Sequence, residues 1–472
     1  MSMVSSMGSA RAASSRREAR AVWSVLILSC AVAAARVAPG DEAVTTVESF
    51  LRIKEIDVGS RAALVEGAAW SDDKERVLAR VLTRLAAPAP LVAAWREQAA
   101  EVAPRGTANE ITDRLVKVSG RATFVAPRAL PAELAELAGR PQYDVARIVD
   151  EKGAVVDVVV PRAPSAWPRW RAIDEPAAVV GLPLTSGGGP EPVAADGGGA
   201  TWPAAGHDLL VAATGIEWRP PTLLGSLGMN YGLFDTVVDD RKLEPGDTGA
   251  FWGVMQAATR VSPADIAKAA DGKTDIIAMI DPAQKWFAAH RGEPVVIAGT
   301  ARRATRIAID DPALRASVGG DHYWELEVFA DTPTIKVNER VQDRYPIVCC
   351  VRSLTDGMPS GEDISERVRV PGFALKRYSY PLRDVLISSS QGDSEIKGER
   401  ISTPLVIGPK AEWVPPPSPA ETSNVLFWIF SGIIGVLAAL LAYNNWSLGR
   451  DARRAERLRR DSLPDRLDLP NE

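Results

Sequence analysis

Residues able to do chemistry are few in this chain, and they are scattered. There are three histidines, His207, His290 and His322. A histidine metal site needs further ligands at short fixed spacing, such as a second histidine one helical turn away or a Cys-x-x-Cys pair. His207 follows a glycine-rich run, His290 is expected to end a helix, and His322 opens a strand in GGDHYW. They fall in different structural units, so no metal ligand is assigned. Cys349 and Cys350 are adjacent, and neighbouring side chains on a strand point to opposite faces. They read as two small strand residues rather than a disulfide or a ligand pair. A serine nucleophile is expected in a Gly-x-Ser-x-Gly or Ser-x-x-Lys setting. Ser388, Ser389 and Ser390 instead stand in SSSQGDSE, which reads as a loop. Paired carboxylates occur at Asp72-Asp73, Asp239-Asp240 and Asp310-Asp311. Hydrolysis of a glycoside depends on their separation in space, and the last two pairs read as solvated turns. No catalytic residue and no cofactor is therefore assigned, and the chain is expected not to be an enzyme.

Aromatic residues remain as candidates. The chain has 13 Trp, and exposed aromatic rings can stack on sugars or anchor a partner. The candidate ligand or partner face is Tyr323, Trp324 and Arg352, with Trp218 and Trp413 read as core packing.

The two ends suggest where such a face would be held. Residues 11–20 are basic, residues 21–35 are apolar, and Ala33-Ala34-Ala35 precedes Arg36. That is the pattern of a signal peptide or signal anchor. Val425–Tyr443 carries no charge and is long enough to cross a bilayer core of about 30 Å. Tyr443 and Trp446 stand at its edge, followed by Arg450, Arg453, Arg454, Arg457, Arg459 and Arg460. The positive-inside rule places this tail in the cytoplasm and the bulk of the chain outside it. Ser431, Gly435 and Ala439 form a small-residue row that would let two such helices approach. Between the ends lie 43 basic and 53 acidic side chains. An acidic body is a poor partner for nucleic acid, which selects basic surfaces.

The body says much the same thing twice. From Leu210 and Leu405 onward, Leu, Val, Glu, Trp, Pro and Pro recur at matched positions, 195 residues apart. Upstream, Gly120 matches Gly299, Gly139 matches Gly319, Tyr143 matches Tyr323, Arg162 matches Arg352 and Gly181 matches Gly372, in order. The offset grows from 179 to 195 and never reverses, as small loop insertions would produce. A tandem duplication is expected.

Each copy opens with helical signals. Ser71 is expected to cap a helix through DDKERVLARVLTRL, with Leu78 and Leu82 on its buried face. In the second copy Pro245 fits a first turn, and Phe251 and Met255 take the places of Leu78 and Leu82. Ser262-Pro263 and Asp281-Pro282 are expected to open two more helices, the latter ending near Gly292. Each copy then gives about five strands: VKVSGRATF, YDVARIV, AVVDVVV, PAAVVGL and LLVAATGIEW in the first. A first strand with a central glycine and a returning Val-x-Val-x-Gly strand resemble an OB-type barrel. The chain also resembles uncharacterised single-pass envelope membrane proteins of bacteria, which implies no activity.

The expected fold class is α+β, a tandem duplication of a helical segment plus a small OB-like β-barrel, with one C-terminal transmembrane helix. The expected divisions are 1–40, signal peptide or anchor; 41–113, first helical segment; 114–221, first β module; 222–292, second helical segment; and 293–413, second β module. A Pro-rich stalk (414–423), a transmembrane helix (424–446) and a basic tail (447–472) follow. The expected role is a membrane-anchored extracytoplasmic interaction or scaffold protein with an envelope protein partner. Binding of a ligand such as an oligosaccharide, and an envelope hydrolase, are the alternatives.

Overall fold

The computed structural model describes residues 46–64, 70–85, 95–101, 114–185, 189–192, 201–203, 206–272, 274–337, 340–381, 400–415 and 419–461. The signal segment, most of the glycine-rich run 186–206, Ser388–Ser390, the centre of the stalk and the end of the tail lie outside the described residues. The chain divides into two compact units, Met1–Trp413 and Val414–Glu472.

The first unit contains two rings of strands. In the first ring the strands are β1 (Val116–Ala129), β2 (Gln142–Asp150), β3 (Val155–Val160), β4 (Arg171–Thr185) and β5 (Leu209–Ala213). Strand β1 pairs antiparallel with β2, β2 with β3, β5 with β4, and β4 with β1, while β3 and β5 run parallel. The pairing thus returns to its start. The second ring is a closed barrel of β6 (Pro294–Ala308), β7 (His322–Val337), β8 (Arg340–Leu354), β9 (Glu366–Pro381) and β10 (Arg400–Val414). Its order is β8-β10-β9-β6-β7, again with one parallel pair, β8 with β10.

Local sequence explains the closure. A strand that pairs on both sides while bending into a barrel must let its neighbour's backbone come close. At Gly120 an added Cβ would run into the Val149 carbonyl, and at Gly299 into the Phe329 carbonyl. Just after each glycine the register slips by one residue, between Ala122 and Phe124 and between Ala301 and Arg303. Such bulges bend the strand sharply.

Alternation along the strands makes two cores per ring. Inside the first lie Val118, Ala122, Ile148, Val158 and Val211. Its outer face, with Tyr143, Val145, Val159, Leu182, Leu184 and Leu210, packs under α1 (Val47–Ile53), α2 (Asp72–Arg84) and α3 (Ala132–Ala138). Ser71 caps α2, whose Leu78 and Leu82 are buried. The second barrel encloses Ile297, Ala301, Val328, Cys349 and Val406. Its outer face presents Cys350, Phe373, Leu375 and Leu405 to α4 (Thr248–Ala258) and α5 (Pro263–Ala270). Adjacent Cys349 and Cys350 therefore enter different cores. Burial pushes the Cys349 thiol far up from its ordinary pKa, so it stays protonated and unreactive.

Two short helices depart from the sequence reading. Helix α3 and its counterpart α6 (Pro312–Val318) fill the connection between the first two strands of each ring. Each ends on a glycine in the left-handed region, Gly139 at φ 63° and Gly319 at φ 71°, where other residues are strained. A third difference lies after Asp281-Pro282. One helix to Gly292 is expected there, but Pro282–Gln284 forms a 3₁₀ turn, Lys285 takes φ 48°, and a separate helix spans Trp286–His290. The left-handed Lys285 re-aims the chain so that Phe287 enters the barrel core.

The second unit is dominated by α7 (Pro419–Asp461), 43 residues long. Among the described residues, it is the one helix long and apolar enough to cross a membrane. At 1.5 Å per residue it reaches about 65 Å, roughly twice a hydrocarbon core.

Candidate functional site

The three residues of the expected face have separate duties. The Tyr323 ring packs edge-on against Phe251 at 5.5 Å and Trp252 at 5.8 Å, both on α4. Trp324, the next residue of β7, packs against the barrel interior instead. Arg352 donates to the carbonyl oxygens of Val318 at 3.1 Å, Gly319 at 2.7 Å and His322 at 3.2 Å. It closes the C-terminus of α6, where backbone carbonyls lack helical partners. Tyr323 and Trp324 are adjacent on β7 and point to opposite faces, while Arg352, on β8, is engaged with the end of α6.

Trp218 and Trp413 hold matched places. Each indole N–H donates to a glutamate at 2.8 Å, Glu175 in the first ring and Glu366 in the second. Each ring packs on its own barrel core. The glutamates also match in sequence: they are 191 residues apart, the same offset as Gly181 and Gly372.

Arg147, Asp157 and His207 form the tightest polar group. Arg147 on β2 donates twice to Asp157 on β3, at 2.8 and 2.9 Å. His207 Nδ1 lies 3.0 Å from the same carboxylate. The Arg147 and Asp157 side chains are 5% exposed and His207 is 7% exposed. The Arg147 guanidinium also lies over the Trp202 ring and donates to the Pro203 carbonyl at 3.0 Å. The group thus fastens the described end of the glycine-rich run to the barrel. A histidine oriented by a carboxylate resembles half of a catalytic triad. Here His207 Nε2 has no hydrogen-bond partner among the described residues, and the carboxylate is already matched by Arg147.

Burial by itself would raise the Asp157 pKa, but hydrogen bonds from Arg147 and His207 overcome it and hold the carboxyl below its ordinary value. A carboxyl whose pKa is lower in the folded state stabilises the fold above its unfolded pKa, about 4. That stabilisation is lost as pH falls through the lower folded value. Denaturant titrations at stepped pH are expected to show stability falling below pH ~4, with a shallower fall in Asp157→Asn. Equal slopes in the two proteins would remove Asp157 from the acid transition.

Other charged residues also join segments distant in sequence. Glu75 on α2 accepts from Tyr143 at 2.6 Å, from Arg128 at 2.9 Å and from the Trp70 indole. Lys376 on β9 lies 2.7 Å from Asp247, at the start of α4. Asp239 and Asp240, expected as a solvated turn, are engaged with two arginines. Asp239 accepts from Arg291 at 2.7 Å and Asp240 from Arg377 at 2.6 Å, which pins their segment to β9. Among the described residues no group of three or more His, Cys, Asp or Glu is placed to hold a metal.

No family model matches the chain, and no curated protein matches it. Among solved structures it is similar to the single-stranded DNA binding protein from Thermus aquaticus. The wild-type protein is 11% identical, with 64% of this chain and 94% of that one covered and a TM-score of 0.14. A deletion mutant of it is 10% identical, with 65% and 96% covered and the same TM-score of 0.14. At that score the likeness carries no argument about binding.

Proposed function

We propose that this chain is a membrane-anchored extracytoplasmic interaction or scaffold protein, built by tandem duplication of an OB-like barrel with its helical layer. Helix α7 carries the reading. Its apolar residues are exposed throughout Phe427–Leu441, where a soluble protein would bury them. Arginines follow at one end only, so the positive-inside rule leaves the body outside the cytoplasm.

The duplication is supported by where matched residues fall. Leu182 and Phe373, Leu184 and Leu375, and Leu210 and Leu405 all lie on outer faces under helices. Ile148 and Val328, Val158 and Cys349, and Val211 and Val406 all lie inside. At Val158 and Cys349 the strand pairing makes the offset 191, so Arg162 corresponds to Ser353 and not to Arg352. A chance alignment would mix the faces, because a slip of one residue reverses every side chain. The named polar clusters act as fasteners between segments, which favours a presented surface over a reaction centre. The partner would be an envelope protein, and Ser431, Gly435 and Ala439 would permit pairing of two spans.

Protease treatment of spheroplasts tests the topology. The body is expected to be digested while a C-terminal tag stays protected until the membrane is opened. A protected body with an accessible tag would overturn the reading. Cross-linking in intact cells followed by purification of the full chain is then expected to recover a specific envelope protein.

A further inference from the structure

The arginines beyond the span are not spread evenly around α7. With 3.6 residues per turn, Arg450, Arg453, Arg454 and Arg457 fall within an arc of about 100°. Tyr443 and Trp446 stand on the same arc, with their rings 6.2 Å apart. The Arg450 guanidinium lies over the Trp446 ring at 4.6 Å. Asp451 and Glu456 lie off this arc; Asp461 falls on it, at the end of the helix, about 6 Å beyond Arg457. All four arginines are exposed, and none of them is ion-paired among the described residues.

We propose that this face binds the anionic phospholipid headgroups of the leaflet from which α7 emerges; this rests on the reading that α7 crosses a membrane. Trp446 marks the interfacial level, where amphipathic rings settle. Arg450 then stands about 6 Å farther along the axis, Arg453 and Arg454 about 10–12 Å, and Arg457 about 16 Å. The headgroup layer is roughly 5–8 Å deep. Helical side chains lean toward the N-terminus, here back toward the bilayer, and long arginine stems follow the surface. Arg450, Arg453 and Arg454 can therefore touch phosphates, while Arg457 stays within about one Debye length, roughly 8 Å, of the layer. Orienting the span needs only the number of arginines. Alignment on one face with the aromatic anchors is what a surface contact adds.

The number and the face can be separated. In a scrambled chain, Arg453→Ala is combined with Ala452→Arg, and Arg457→Ala with Ala455→Arg. The charge count, composition and helix-forming residue types are kept, and two arginines move to the far side. The full-length wild-type and scrambled chains are placed in nanodiscs of equal parts phosphatidylcholine and phosphatidylglycerol, and retained lipids are weighed by native mass spectrometry. The wild type is expected to retain phosphatidylglycerol preferentially, with the preference falling about fivefold for each arginine moved. A chain that does not co-elute with the nanodiscs overturns the membrane reading itself. A chain that co-elutes without preferring phosphatidylglycerol, or a scrambled chain that keeps the full preference, overturns the lipid assignment alone.

Discussion

Lys376→Met is expected to destabilise the body by about 3–5 kcal/mol, because it leaves a charge buried without its partner. The Lys376 side chain is 0% exposed and that of Asp247 is 3% exposed, with 2.7 Å between Nζ and Oδ2. Asp247 also accepts from the Glu244 backbone N–H at 2.9 Å and so organises the start of α4. Its carboxylate cannot turn to water when the lysine is removed. Replacing both residues, as Lys376→Met with Asp247→Leu, is expected to recover most of the loss, since an apolar pair has no charge to desolvate. The recovery should be incomplete by about 1 kcal/mol for the lost Glu244 bond. Urea unfolding of the three full-length proteins in one detergent measures this. A single substitution costing under about 1 kcal/mol would mean that water reaches the pair.

Glu75→Ala is expected to have an effect of similar size in the first ring, about 3–5 kcal/mol, for a related reason. One carboxylate, 3% exposed, receives Tyr143, Arg128 and Trp70. Burial, and then the Glu75 charge, push the Tyr143 phenol far above its ordinary pKa, so it acts only as a neutral donor. Loss of Glu75 would leave that hydroxyl and the indole N–H unmatched and the Arg128 guanidinium with only the Glu191 carbonyl. Glu75→Gln keeps an acceptor oxygen and loses the charge opposite Arg128, so it should cost less than alanine. Thermal unfolding followed by near-ultraviolet circular dichroism measures the loss of aromatic packing in each variant. If the glutamine and alanine variants melt together, the charge and not the acceptor governs the cluster.

The apolar skeleton of this fold was legible in the sequence because alternation is local. Leu210 and Leu405 announce the same strand with the same inward and outward faces, and Cys349-Cys350 could be assigned to opposite faces on adjacency alone. Helices α3 and α6 were not read, since seven residues give too short a period to register. Their glycine stops, Gly139 and Gly319, were nonetheless noticed as a matched pair. The polar clusters were invisible for another reason. Lys376 meets Asp247 across 129 residues, and Tyr143 meets Glu75 across 68, so no spacing rule links them. The face at Tyr323, Trp324 and Arg352 joins two adjacent strand residues, which point to opposite sides of the sheet, to an arginine on the next strand that closes the end of α6.

The parallel pairing of β3 with β5, and of β8 with β10, sets an order in time. In each ring the last strand to be synthesised is inserted beside the third, so neither ring can close as its strands appear. The first can close once Leu209–Ala213 is available, while the second is still unmade. The second must wait for Arg400–Val414, directly ahead of α7 in the chain. Until then β8 lacks one neighbour, and an open strand edge invites pairing with other chains. A body made from two similar rings therefore matures in two steps, and each leaves a strand edge open over a similar length of chain.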